Sequence, residues 1–145
     1  MLLPHGTVVA VVDGEKLELY RNGGNEAAPD LARFAAPKLD EDNKDAGARH
    51  LSSSANPGHL LEEDAHAAAV VGWLNQHVTS GDIKHLVVVA APRTLGEMRR
   101  RYDKQLEVVL VGELHKEMIG RSEPEILGAL QGRITPPTPR LNGGV

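Results

Sequence analysis

The sequence predicts an α/β domain built on a mixed five-stranded sheet, in the order 3-2-1-4-5, with helices on its faces. Three observations predict it. Thr7–Val12 (TVVAVV) and Leu86–Ala91 (LVVVAA) are apolar on both faces, as strands in the middle of a covered sheet must be. Asp13-Gly14 joins the first of these to the alternating run Glu15–Tyr20, a hairpin signal. A proline-free segment of helical periodicity, Leu60–Val78, separates the first three strands from the fourth, as a parallel crossover requires.

The elements follow in order. Glu15, Leu17 and Leu19 alternate with Lys16, Glu18 and Tyr20, so the second strand is expected nearer an edge than the first. Arg21–Asn25 reads as a turn, and Leu31–Ala36, bracketed by Pro29 and Pro37, as a third strand. Between Lys38 and Gly58 periodicity vanishes into a long polar connection, expected to be mobile. In the helix from Leu60, Ala67, Val70, Val71, Leu74 and Val78 share one face. Its Glu62, Glu63 and Asp64 read as first-turn acids that compensate the helix dipole. After the fourth strand, Thr94–Tyr102 is expected as a short helix and Leu106–Val111 (LEVVLV) as a fifth, buried strand. Ser122-Glu123-Pro124-Glu125 carries the signature of a capping box with proline in the first turn of a last helix. The proline- and glycine-rich stretch after it is expected to be a disordered tail, so residues 1–130 read as one domain and 131–145 as the tail. A meander feeding two right-handed crossovers is a ribonuclease-H-like arrangement.

Composition narrows the chemistry. The chain has 145 residues, net charge -4 and no cysteine, which excludes disulfide partners, thiol nucleophiles and zinc–thiolate sites. Its aromatic content of 3% is low for a protein that reads single-stranded nucleic acid by stacking. No apolar run is long enough to span a bilayer, and the opening MLLPHG lacks a signal-peptide pattern, so a cytoplasmic location is expected. No cofactor is implied. Gly23-Gly24 lacks the lysine and helix of a phosphate loop, and Ser52–Ser54 lack a nucleophile elbow.

Two clusters remain. His59, Glu62 and His66 (with Glu63) combine imidazoles and carboxylates, but not at HExxH spacing; they are weak metal candidates, supporting only a minor reading as a metal-dependent hydrolase. A two-metal nuclease on this topology would place acids within the first strand, in the helix middle and after the fourth strand. Here Ala90-Ala91-Pro92 ends the fourth strand, and alanine and valine fill the helix middle. The second cluster is Pro92–Lys104 (PRTLGEMRRRYDK), where five cations face two acids, a local +3. It lies past the C-terminal end of a buried parallel strand, where open α/β sheets bind ligands. Arg93, Thr94, Arg99, Arg100, Arg101 and Lys104 are therefore candidates for binding a polyanion; the other reading is a solvated helix with ordinary positive charge.

Leu86–Leu106 and Thr7–Arg21 also carry a resemblance. They are similar to a bacterial family of proteins required for attachment to host cells, grouped with bacterial relatives of archaeal and eukaryotic peptide-chain release factors. The likeness spans Thr7–Leu130 and is most specific at A-P-R-x-L-G-x-x-R, here Ala91, Pro92, Arg93, Leu95, Gly96 and Arg99. Asp13 and Arg21 match the family's opening loosely, and Lys116-Glu117-Met118 departs from its later K-D-L-like segment. The resemblance implies the ribonuclease-H-like topology of the release factors' middle domain. Those factors hydrolyse through a Gly-Gly-Gln loop, and no such string occurs here; Gly23-Gly24-Asn25 is the nearest. The combined expectation is a non-catalytic protein that binds ribosome, RNA or another polyanion. The alternative is a protein–protein interaction module working through Leu95, Tyr102 or the 38–58 connection.

Overall fold

The computed structural model describes residues 1–39 and 58–132, with the side chains of 58–62 outside that description. The strands are β1 (Val8–Val12), β2 (Leu17–Asn22), β3 (Leu31–Phe34), β4 (Leu86–Ala90) and β5 (Leu110–His115). The helices are α1 (Gly58–Thr79), α2 (Pro92–Arg99), α3 (Lys104–Val109) and α4 (Glu123–Leu130). They form one sheet in the order β3-β2-β1-β4-β5. β1 pairs antiparallel with β2 and parallel with β4, Val8 lying beside both Arg21 and Leu86. β2–β3 is antiparallel and β4–β5 parallel. This is the mixed ribonuclease-H-like sheet read from the sequence.

Every residue of β1 and β4 is buried, because both sheet faces are covered. Alternate side chains feed two cores. Val8, Ala10, Leu19, Leu86 and Val88 pack with Ala67, Val70, Val71 and Leu74 of α1, Leu95 and Met98 of α2 and Leu106 of α3. Val9, Val11, Tyr20, Val87 and Val89 pack on the other face with Leu3, Met118 and the α4 residues Ile126 and Leu130. The Ser122 capping box is present: the Ser122 hydroxyl accepts from the Glu125 amide, and the Glu125 carboxylate accepts from the Ser122 amide.

Four local expectations are corrected. The first turn is displaced by one residue, since the Asp13 amide donates to Lys16 O at 3.1 Å and Gly14-Glu15 occupy its centre. The Asp13 carboxylate organises it by accepting from the amides of Glu15 and Lys16, which removes the need for a glycine at positive φ. Helix α1 starts at Gly58, so Glu62–Asp64 fall in its second turn and its first turn holds no acid. The second helix ends at Arg99 rather than Tyr102.

The expected fifth strand is the largest departure. Lys104–Val109 is helical and β5 begins only at Leu110. The crossover explains it. An eight-residue helix rises about 12 Å, less than the roughly 17 Å of a five-residue strand, so α2 alone cannot return the chain to the start of β4. A second helical piece completes the descent, burying Leu106 and leaving Val108 84% exposed. As the edge strand, β5 is then only half-buried. Nearly all of the 38–58 connection and of the 131–145 tail lies outside the described residues.

Candidate functional site

The cationic cluster begins just past the C-terminal end of β4, where Arg93 and Thr94 open α2, and runs along α2 to its turn into α3, beside the last turns of α1. Ala91 is extended (φ -60°, ψ 154°) and Pro92 opens the helix, so the chain leaves the sheet and turns immediately. Leu95 and Met98 then enter the core, which rotates Arg93, Arg99, Arg100 and Arg101 outward. The following turn is held from α1: the Asn75 side-chain amide donates to Arg101 O at 3.1 Å, and its oxygen accepts from the Asp103 amide at 3.1 Å. Thr79 Oγ1 donates to Gln105 Oε1 at 2.8 Å. The corner is therefore fixed to the long helix by side-chain hydrogen bonds.

The arginines differ in what holds them. Arg93 reaches α1, lying 3.0 Å from Glu63 and 3.6 Å from Asp64. The acids expected to serve the α1 dipole instead tie α1 to the start of α2. Arg99 turns toward β5 and donates from Nε and Nη2 to Glu113 Oε1 at 2.9 and 2.6 Å. Tyr102 donates its hydroxyl to the second Glu113 oxygen at 2.9 Å. His115 Nε2 lies 3.0 Å from Arg99 Nη2. Burial alone would raise the Glu113 carboxyl, but the hydrogen bonds from Arg99 and Tyr102, with the Arg99 charge, hold it below the ordinary carboxylate range. Burial, then the negative charge and hydrogen bond of Glu113, push the Tyr102 phenol far up. Arg99 is raised by its hydrogen bond to Glu113.

Arg100 and Arg101 share one partner. Glu97 lies 3.5 Å from Arg100 and 3.3 Å from Arg101, at i,i+3 and i,i+4 spacing. One carboxylate thus faces two guanidinium groups, and the Arg100 side chain remains 77% exposed. Lys104, also exposed, forms no ion pair among the described residues. Thr94 is half-buried near the start of α2, beside the already paired Arg93. Arg100, Arg101 and Lys104 are each exposed around the α2–α3 turn, whereas Arg93 and Arg99 are engaged by carboxylates of α1 and β5.

Glu113 and Glu97 were not singled out in the sequence, although they decide which cations remain available. Leu95 is fully buried and the Tyr102 hydroxyl is engaged, so neither offers the free contact surface expected of an interaction module. Of the metal candidates, His66 is buried with Nε2 3.1 Å from Lys16 O, joining α1 to the β1–β2 turn. His59 and Glu62 lie in α1, their side chains outside the described set. Among the described residues, no group of three or more His, Cys, Asp or Glu side chains is arranged to hold a metal ion. No helix of the described residues is long and apolar enough to cross a membrane. Gly23-Gly24 is built into the β2–β3 connection, where the Gly23 amide donates to Asp30 O at 2.9 Å and the Gly24 amide to Asn22 Oδ1 at 2.9 Å.

The sequence model described as bacterial archaeo-eukaryotic release factor family 12 matches residues 6–130. The chain belongs to that family. The family 12 match runs from the strand β1 to the end of α4 and includes the whole cationic corner. It bears out the resemblance to the bacterial relatives of release factors that the A-P-R-x-L-G-x-x-R segment suggested. Within family 12, this chain uses Ala91 and Pro92 to start a helix, Leu95 for the core and Arg99 to clamp β5. No curated protein matches the chain.

Proposed function

We propose that this family 12 protein is a binding protein, not a hydrolase, and that it contacts phosphate groups of RNA or the ribosome through Arg100, Arg101 and Lys104. The observation that carries this reading is the shared carboxylate: Glu97 answers two arginines, and Lys104 adds a further exposed cation beside them. Arginines held by a neighbouring carboxylate keep their forks extended, and a phosphate competes for the same donors in bidentate fashion. Contacts of this type position a partner without reading its sequence. Arg93, Thr94 and Arg99 flank the surface, with Arg93 and Arg99 serving mainly to fix the two ends of α2. Four carboxylates around α2, Glu63, Asp64, Glu97 and Glu113, are in ion pairs with arginine, which supports binding over metal-assisted hydrolysis. Residues 1–130 would act as one domain.

A co-sedimentation experiment with purified ribosomes tests the proposal, at about 50 and 200 mM salt, using wild type and an Arg100→Ala/Arg101→Ala/Lys104→Ala variant. Retention at low salt that is lost at high salt and in the variant supports it. Equal retention of both proteins refutes it. A second reading, a protein partner, is favoured by Val108, which stands 84% exposed beside a shallow groove of about 290 Å³ lined by Val78, Thr79, Gln105 and Val109. Binding that resists salt and fails in Val108→Lys would select it.

A further inference from the structure

A second cationic surface lies where β1 and β4 begin. Arg21, next to last in β2, pairs with Val8, and His85 immediately precedes β4, its carbonyl accepting from the Val8 amide at 2.8 Å. With His5, Gly6, Gly81, Asp82 and Lys84 these residues line a cleft of about 500 Å³. That volume falls in the range of small-molecule sites, roughly 300–1,000 Å³. The cleft shares no lining residue with the cationic cluster of α2 and α3.

Its walls are fixed. Asn22 is fully buried, and its amide nitrogen donates to Leu3 O at 2.8 Å and Pro4 O at 3.3 Å. Its oxygen accepts from the amides of Gly24 and Asp30, both at 2.9 Å. The Gly6 amide donates to Asn22 O at 2.8 Å, and His5 Nδ1 lies 2.6 Å from Gly24 O. On the far side, α1 is closed by Gly81 at φ 90°, with the amides of Gly81, Asp82 and Ile83 turned back onto the carbonyls of Val78 and His77.

The charges are unbalanced. Among the described residues, Arg21 is the one arginine without a carboxylate partner. Its guanidinium donates to Gly6 O at 3.3 Å and lies 5.5 Å from the centre of the Phe34 ring, contacts that orient it without neutralising it. Lys84 is exposed and makes no ion pair among the described residues. The lining holds a single carboxylate, Asp82, whose Oδ2 lies 2.9 Å from His77 Nδ1, so two cations stand against one acid. His5 and His85 add two imidazoles.

We propose that this cleft binds the phosphate group of a small phosphorylated molecule. Arg21 and Lys84 supply the charge, and the His85 ring supplies a further N–H donor, while the His5 ring is held against the wall by its Nδ1 contact with Gly24 O. The test is an NMR amide titration of the full chain at constant ionic strength, with inorganic phosphate and with ribose 5-phosphate as probes. Shifts in Gly6, Gly81 and His85 that saturate by about 20 mM, with the sugar phosphate tighter, support a site for an organic phosphate. Equal affinity for both probes supports a site for the phosphate group alone. Lys84→Gln, which breaks no described hydrogen bond, should weaken binding by at least about threefold. Arg21→Gln should weaken it further, its circular dichroism reporting whether the loss of the Phe34 contact unfolds the chain. Absence of saturable shifts with either probe, or wild-type affinity in Lys84→Gln, overturns the proposal.

Discussion

Replacing Glu113 by alanine should lower stability by about 2 kcal/mol at neutral pH. Glu113 receives the Tyr102 hydroxyl at 2.9 Å and two donors of Arg99. A hydrogen bond to an ionised acceptor contributes roughly 1.5–3 kcal/mol, and the half-buried phenol would lose its partner. Arg99 is largely solvated, so water replaces the carboxylate and its loss adds no figure of its own. For a chain of this size, ~2 kcal/mol corresponds to a fall in Tm of about 6–10 °C by calorimetry. The pH dependence supplies a second check. The folded carboxyl is held below its unfolded value, so its stabilisation is complete above the ordinary carboxylate pKa of about 4.3. It is lost as pH falls through the lower folded value. The gap between wild type and Glu113→Ala, followed by urea unfolding, should therefore close in acid. A variant within about 2 °C of wild type at pH 7, or a gap that stays constant to pH 3, would refute the clamp.

Both tyrosines of the chain, Tyr20 and Tyr102, have raised pKa values, Tyr20 pushed up to about 12 by burial and then by Glu18. A raised folded value means stability is intact below pH 10 and declines above it, so ultraviolet titration should show no tyrosinate signal until native structure is being lost; normal ionisation near pH 10 in the folded protein would contradict this. Asn22→Ala should cost about 2–4 kcal/mol, because four backbone groups lose a buried partner, and a urea midpoint near wild type would show that water replaces the amide. Ser122→Ala should cost about 1 kcal/mol by removing the α4 cap, with amide exchange accelerated in Glu123–Leu130; unchanged exchange there would count against it.

The sheet was legible because VVAVV and LVVVAA carry no polar residue, and only strands covered on both faces tolerate that. The β5 boundary was not, because Val108 and Val109 favour strand locally while a six-residue helix is too short to show a period. What decides it is the length of the crossover, a tertiary constraint. The same distinction governs the site. Glu97 with Arg100 and Arg101 could be read from helical spacing, but Glu63–Arg93 and Glu113–Arg99 join residues 30 and 14 apart through the fold. Local sequence thus located the cations without showing which of them the acids already hold.

Fluorescence anisotropy of a labelled single-stranded RNA, titrated with the full chain across a range of KCl concentrations, tests the binding surface most directly. Three phosphate contacts from Arg100, Arg101 and Lys104 should give log K a slope of about -2 against log salt. The triple alanine variant should lose both the binding and the slope while keeping the wild-type Tm. A slope near zero, or a triple variant that binds as wild type does, would contradict the account.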